Sequence, residues 1–246
     1  MKLEAVFVSD VHLTEPDSER YQIFLQFLNL LSKKTVKRLV LLGDIFDLWV
    51  GRHQYFVSKH SELVQILGSL KSKGTEIHYF EGNHDLYLKD FFGNNLGFEI
   101  HPDSYEVVWD GLKIRMEHGD LANPDDRGYL FLRSFLRNVL TKNLIRNIPG
   151  KLVNKIGESA SHKSRDYTDH LNVDSKNLVR DYAKRLASTS DFDVLITGHT
   201  HQKDDVKLSL EDREIRSINL GSWFEEEPQC LVLENSSLRF HRVLEI

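Results

Sequence analysis

A chain of 246 residues, 40% hydrophobic and with a formal net charge of −5, is long enough to bury a sizeable core. The acidic balance argues against a general nucleic-acid binder, and a single cysteine, Cys230, excludes an internal disulfide. No apolar run approaches the roughly 20 residues a membrane-crossing helix needs, and the first residues lack a secretory-signal pattern, so the expected location is cytoplasmic.

Leu3 to Val8 reads as a short strand covered on both faces, and it runs straight into Ser9-Asp10-Val11-His12. Ile23, Phe24, Phe27, Leu28, Leu30 and Leu31 recur at helical spacing. A second buried strand, Arg38 to Leu42, ends at Gly43-Asp44. The pattern predicts a helix from about Val57 to Lys71 with Gly74 as its C-cap. The third strand, Glu76 to Phe80, ends at Gly82-Asn83-His84-Asp85. This alternation implies a parallel sheet, in which ligands bind beyond the carboxyl ends of the strands.

In the second half, Tyr105 to Trp109 and Leu112 to Glu117 flank Asp110-Gly111, a strong hairpin signal leading to His118-Gly119-Asp120. Arg127 to Gly157 reads as helices, as does roughly Val173 to Ala187. Phe192 to Ile196 is a strand that leads into Gly198-His199-Thr200-His201. Val206 to Leu210, Glu214 to Asn219, Leu231 to Glu234 and Leu238 to Val243 read as strands of a second, mostly antiparallel sheet. The expected architecture is α/β, with two sheets face to face and helices outside. It forms a single domain over residues 1–246, with a helical cap inserted at about 124–172.

Asp10, His12, Asp44, Asn83, His118, His199 and His201 offer oxygen and nitrogen donors without a thiolate, which suits Mn²⁺, Fe²⁺, Zn²⁺ or Mg²⁺. The set is large enough for two ions that share one carboxylate. Two ions about 3.5–4 Å apart stabilise both the attacking and leaving oxygens of phosphoryl transfer. Gly43, Gly82, Gly119 and Gly198 remove Cβ atoms where the backbone turns at a crowded site. Asp-x-His or Gly-Asp alone is weak. The ordered set, each member at the end of a strand-like run, carries the inference. His53, His60, His78, His101, His162, His170 and His241 read as surface or core residues, and Cys230 as a small apolar one.

From Arg127 to Gly157 there are seven basic residues (Arg127, Arg133, Arg137, Lys142, Arg146, Lys151, Lys155) and no acidic one. At helical period Phe131, Leu132, Phe135, Leu136, Val139 and Leu140 share an apolar face, with Arg133 and Arg137 opposite. Such a helix suits an anionic membrane surface or an amphiphilic phosphate substrate. The alternative is a helix packed on the domain with its charges in water.

Asp10-x-His12, Gly43-Asp44, Gly82-Asn83-His84-Asp85, His118 and Gly198-His199-x-His201 together resemble the motifs of the calcineurin-like metallophosphoesterases. The resemblance implies a four-layer α/β sandwich. Asp10, His12 and His201 would hold one ion, Asn83, His118 and His199 the other, and Asp44 would bridge them. It further implies that His84 contacts the phosphate and protonates the leaving group, with Asp85 orienting it.

Phe46-Asp47-Leu48-Trp49, His118-Gly119-Asp120 followed by Asp125-Asp126-x-Gly128-Tyr129, the helical cap, and Leu220-Gly221-Ser222-Trp223 in the closing sheet are similar to one branch, the UDP-2,3-diacylglucosamine hydrolases of lipid A synthesis. That likeness implies Mn²⁺ and a UDP-sugar lipid substrate, with peripheral contact at the cytoplasmic face of an anionic inner membrane. The implied substrate-binding set is Asn83, His84, Asp126, Tyr129, Arg133, Lys163, Arg165 and His199. Two features depart: the best-studied branch carries arginine where His84 stands, and its late-cap lysines do not align cleanly with Ser161-His162-Lys163-Ser164-Arg165. Two other readings are a phosphoesterase for smaller diesters and a non-catalytic scaffold.

Overall fold

Strand β1 (Ala5–Val8) is buried along its whole length, but its side chains serve two cores. Val6 and Val8 join one apolar cluster, Ala5 and Phe7 another, as the pleat requires of a strand covered on both faces. The computed structural model describes residues 2–157 and 174–246. In chain order the main strands are β2 (Arg38–Leu41), β3 (Glu76–Phe80), β4 (Glu99–His101), β5 (Tyr105–Trp109), β6 (Leu112–Met116), β7 (Val194–Thr197), β8 (Asp204–Ser209), β9 (Glu214–Asn219), β10 (Gln229–Glu234) and β11 (Ser237–Arg242). They form a six-stranded sheet, β11-β10-β1-β2-β3-β4, and a five-stranded sheet, β8-β9-β7-β6-β5.

Three expectations about the sheets need correcting. The last hairpin is not part of the second sheet: β10 lies antiparallel to β1, with Leu231 opposite Phe7. Its sequence gives the reason, because Leu231 and Leu233 enter one core and Cys230 and Val232 the other, so β10 must be interior. The second sheet is mixed, since β7 runs parallel to both β6 and β9. In addition, Leu220 to Trp223 is a loop after β9 rather than a strand. It carries Trp223 across to pack edge-on against Phe24 and Phe27.

Helices α1 (Glu19–Leu31), α2 (Gln54–Lys59), α3 (Ser61–Ser72) and α4 (Phe92–Leu96) pack on the outer face of the first sheet. The helix expected from Val57 to Lys71 is thus two helices. His60 leaves helical geometry (φ −110, ψ 27), and its buried ring meets the Tyr21 hydroxyl at 3.2 Å. Beyond α5 (Arg127–Arg137) and α6 (Val139–Asn147), residues 150–157 are also helical. Helix α7 (Ser175–Ala187) covers the second sheet through Ala183, Ala187 and Leu195. The order of layers is helices, sheet, sheet, helix. Among the described residues no helix is long and apolar enough to cross a membrane.

The cap helices turn much of their apolar surface outward, although Leu136, Ile145 and Ile148 pack on the main core. Arg133 pairs with Asp120 and Asp103, Arg137 with Asp103, and Lys142 and Arg146 with Asp90, so their charges face the body of the protein. Phe131 (75% exposed), Leu132, Phe135, Val139, Leu140 (79%) and Leu144 face solvent. The alternative of a helix packed on the domain with its charges in water stands in part. Leu136, Ile145 and Ile148 pack on the core and Arg127, Lys151 and Lys155 are exposed, whereas Arg133, Arg137, Lys142 and Arg146 pair with the body. Asn138 splits the apolar face between α5 and α6, and its side chain accepts from Leu140 N.

Candidate metal centre

The five motifs lie beyond the carboxyl ends of β1, β2, β3, β6 and β7, and parallel pairing of β1 with β2 and β2 with β3 brings the first three side by side. The turns are tight. Asp10, His12, Asp44, His199 and His201 all have positive φ, between 50° and 69°, a conformation that costs a non-glycine residue on the order of 1–2 kcal/mol. Backbone bonds hold the turns together: Asp10 N donates to Gly43 O and His12 N to Asp44 O. The two carboxylates anchor neighbouring loops, with His199 N donating to Asp10 Oδ2 and His84 N to Asp44 Oδ1, each at 2.9 Å. A Cβ on Gly82 would lie 2.0 Å from Asp44 Oδ1, and one on Gly198 would lie 2.3 Å from Asp10 Oδ2. Only glycine allows such an approach.

Two clusters result, and Asp44 belongs to both. In the first, His201 Nε2 is 3.0 Å from His12 Nε2 and 3.3 Å from Asp10 Oδ1, and Asp44 Oδ2 is 3.9 Å from His12 Nε2. In the second, His118 Nε2 is 3.5 Å from Asp44 Oδ2 and 3.1 Å from Asn83 Oδ1, which is 2.9 Å from His199 Nδ1. His118 Nδ1 donates to Leu42 O at 2.9 Å, so its Nε2 lone pair faces the cluster, the arrangement a ligating histidine needs.

Both carboxylates are fully buried, which by itself would favour their neutral form. At Asp44 the His118 and His84 imidazoles outweigh burial and hold the carboxyl well below its usual range. Asp10 is likewise lowered against burial, by His201 and His118. Reciprocally, Asp44 raises His118 to about 10 although burial opposes it, and Asp10 raises His201 against burial. Burial and neighbouring imidazoles press His12 down to about 3, and burial with His118 presses His199 to about 4. The centre therefore demands positive charge. Buried Asp10 Oδ1, on the side of the clusters, has no hydrogen-bond partner. These donors fit two divalent ions, which would compete with protons for the same lone pairs.

His84 stands beside the first cluster, its ring edge-on to His12 at 5.0 Å. Its orienting partner is the Asp47 carbonyl, which accepts from Nδ1 at 2.8 Å. Asp85, expected in that role, is fully buried. Its carboxylate instead accepts from Ile45 N, Phe46 N and the Tyr79 hydroxyl, and so it shapes the loop after Asp44. Asp126 caps α5 through Tyr129 N. The Tyr129 ring lies 5.9 Å from His199, while its hydroxyl and Arg133 Nε both donate to Asp120 Oδ2. Lys163 and Arg165 lie outside the described residues.

The motif pattern assigns Asp120 no role; the structure makes it the link between the cap and the loop of His118. Phe224 was missed. It stacks on His12 at 5.5 Å, with the Arg20 guanidinium 4.1 Å from its ring centroid, and no local pattern signals an aromatic lid from the far end of the chain.

Residues 4–203 match the model of the calcineurin-like phosphoesterases. A UDP-2,3-diacylglucosamine hydrolase of Pseudomonas entomophila (strain L48) is 30% identical over 220 residues, covering 89% of this chain and 90% of that protein. One from Ectopseudomonas mendocina (strain ymp) is 29% identical over 218 residues, 89% of each. A dimetal phosphatase from Danio rerio is similar at TM-score 0.46 and 14% identity, over 98% of this chain and 96% of that one, a likeness too loose to argue from.

Proposed function

The chain belongs to the calcineurin-like phosphoesterase family and is a metal-dependent hydrolase, and from that premise we propose that it cleaves the pyrophosphate of UDP-2,3-diacylglucosamine. The products are UMP and 2,3-diacylglucosamine 1-phosphate. The observation that carries the reaction type is the pair of neighbouring donor clusters, Asp10-His12-His201 and Asp44-His118-His199, with Asp44 Oδ2 also 3.9 Å from His12 Nε2. Asp10, His12 and His201 would hold one ion and Asn83, His118 and His199 the other, with Asp44 offering a carboxylate to both; Mn²⁺ is the expected metal. When bound, the two ions polarise the phosphoryl group and lower the pKa of the attacking water.

The chain's own residues do the rest. Asn83 and His84 bind oxygens of the α-phosphate and meet the charge that develops there. His84 keeps Nδ1–H on the Asp47 carbonyl, which leaves Nε2 to carry the proton given to the leaving phosphate. Phe224 closes the outer side of the first cluster and keeps water from His12. Asp126, Tyr129 and Arg133, at the start of α5, line the substrate side of the cleft.

The lipid half of the substrate suits the cap. A cleft of about 340 Å³ lies among Phe131, Ser134, Phe135, Asn138, Leu140 and Thr141, on a face too apolar to be left in water without a purpose. The same face supports peripheral contact with the cytoplasmic side of the inner membrane. The test is UMP release from UDP-2,3-diacylglucosamine with added Mn²⁺, beside hydrolysis of bis-p-nitrophenyl phosphate. The lipid substrate is expected to be strongly preferred; efficient cleavage of the small diester with no UMP from the lipid overturns the assignment.

A further inference from the structure

Histidines that sequence reasoning set aside meet at the edge of the first sheet. β3 and β4 are parallel neighbours, with His78 opposite Glu99 and Phe80 opposite His101. The period-2 pleat puts His78, Glu99 and His101 on one face. His78 Nδ1 is 3.1 Å from His101 Nε2 and 3.4 Å from Glu99 Oε2. We propose that these three side chains form a separate single-ion site for a late first-row divalent cation, with Zn²⁺ the ion of choice.

The chemistry matches. Two imidazoles and a carboxylate are a frequent zinc donor set, and bonds of 2.0–2.1 Å in a tetrahedral site place donor atoms about 3.3–3.4 Å apart, close to the spacing seen. Burial, the leading cause at each ring, holds both His78 and His101 down to about 4, so both are neutral and have a lone pair to give. Their rings are already set. His101 lies between Phe80 (4.6 Å) and Tyr105 (4.4 Å), and His78 stands edge-on to Trp109 at 5.1 Å. His78 is 3% exposed and its Nε2 has no hydrogen-bond partner, so ligation through Nδ1 puts the proton on an unpartnered buried nitrogen, a cost that metal binding must offset. The Glu99 side chain is half exposed, which gives the ion a path from solvent and room for a water as fourth ligand. The nearby Arg38 cation is offset by its ion pairs with Glu4 and Glu76.

The site shares no donor with the clusters around Asp44, so the ion is distinct from those held there. It would clamp edge strand β4 to β3, the strand that carries the Gly82-Asn83-His84-Asp85 loop. The rival reading is a plain hydrogen bond between two stacked histidines.

The experiment uses the full chain, first loaded with Mn²⁺, then equilibrated with Zn²⁺, freed of unbound metal and analysed for total metal per chain. Wild type is compared with His101→Gln, and with Glu99→Gln, which alters a half-exposed side chain and leaves both rings in place. We expect His101→Gln to retain one ion per chain fewer than wild type, whatever number the Asp44 centre takes. Glu99→Gln should weaken zinc binding about tenfold or more, and hydrolysis of bis-p-nitrophenyl phosphate by Mn²⁺-loaded protein should be unchanged in both. Equal metal content and equal zinc affinity in all three proteins overturn the site. Because the readout is a difference, it is unaffected by failure of the substrate assignment.

Discussion

At the scale of single residues, the centre is a problem of close approach. Asp44 is reached by a backbone N–H from His84 and by the His118 ring at once, and Gly82 exists so that this can happen. Gly82→Ala puts a methyl group 2.0 Å from Asp44 Oδ1. Since a displacement of about 1 Å can cost 10²-fold in rate, turnover of bis-p-nitrophenyl phosphate should fall at least about 100-fold in a variant that remains folded by circular dichroism. Asp44→Ala should abolish turnover and lower bound metal in elemental analysis; a fully active Asp44→Ala enzyme refutes the shared-carboxylate assignment. His84→Gln separates holding metal from handling protons. It should lose about 10²–10⁴ in kcat with metal content unchanged, and equal losses of kcat and metal would show that His84 is a ligand instead.

At the scale of elements, helix period and strand pleat explain most of what forms, and the exceptions are polar residues with a distant partner. His60 interrupts what would otherwise be one helix because its ring is drawn to Tyr21. Burial, with Lys59 beside it, lowers its pKa from 6.5 to about 3. The unfolded chain takes up that proton as pH falls through 6.5 while the folded chain does not, so stability is lost from pH 6.5 down toward 3, by up to about 1.4 kcal/mol per unit. In urea unfolding, wild type should lose about 1 kcal/mol more than His60→Gln between pH 7 and 5.5. Identical losses would mean that the native state accepts the proton.

At the scale of the whole molecule, the cap is held to the body by ion pairs and by Leu136, Ile145, Ile148 and Val153 on the core, and it turns its remaining apolar side chains outward. Asp120 serves both the cap, through Tyr129 and Arg133, and the loop of His118, so cap position and centre are mechanically joined. Phe131→Ser with Phe135→Ser removes apolar surface that is more than half exposed. Stability should change little, because exposed substitutions usually stay within about 0.5 kcal/mol. Co-sedimentation with anionic vesicles should drop sharply, with turnover of the soluble diester intact. Unchanged vesicle binding would remove the membrane role from this face.

What could be known from the sequence alone was local. Each donor follows an apolar run whose period identifies it as a strand, so the positions of Asp10, Asp44, Asn83, His118 and His199 at strand ends were legible without coordinates. Helical period also divided the cap into two faces. Which face turns inward was not legible, because Asp90, Asp103 and Asp120, which draw the arginines in, are remote in sequence or outside the helix. The same limit hid the place of β10 beside β1, the Asp47 carbonyl behind His84, and the meeting of His78 with Glu99 and His101. A period specifies which residues share a face, but only the packed chain specifies what that face meets.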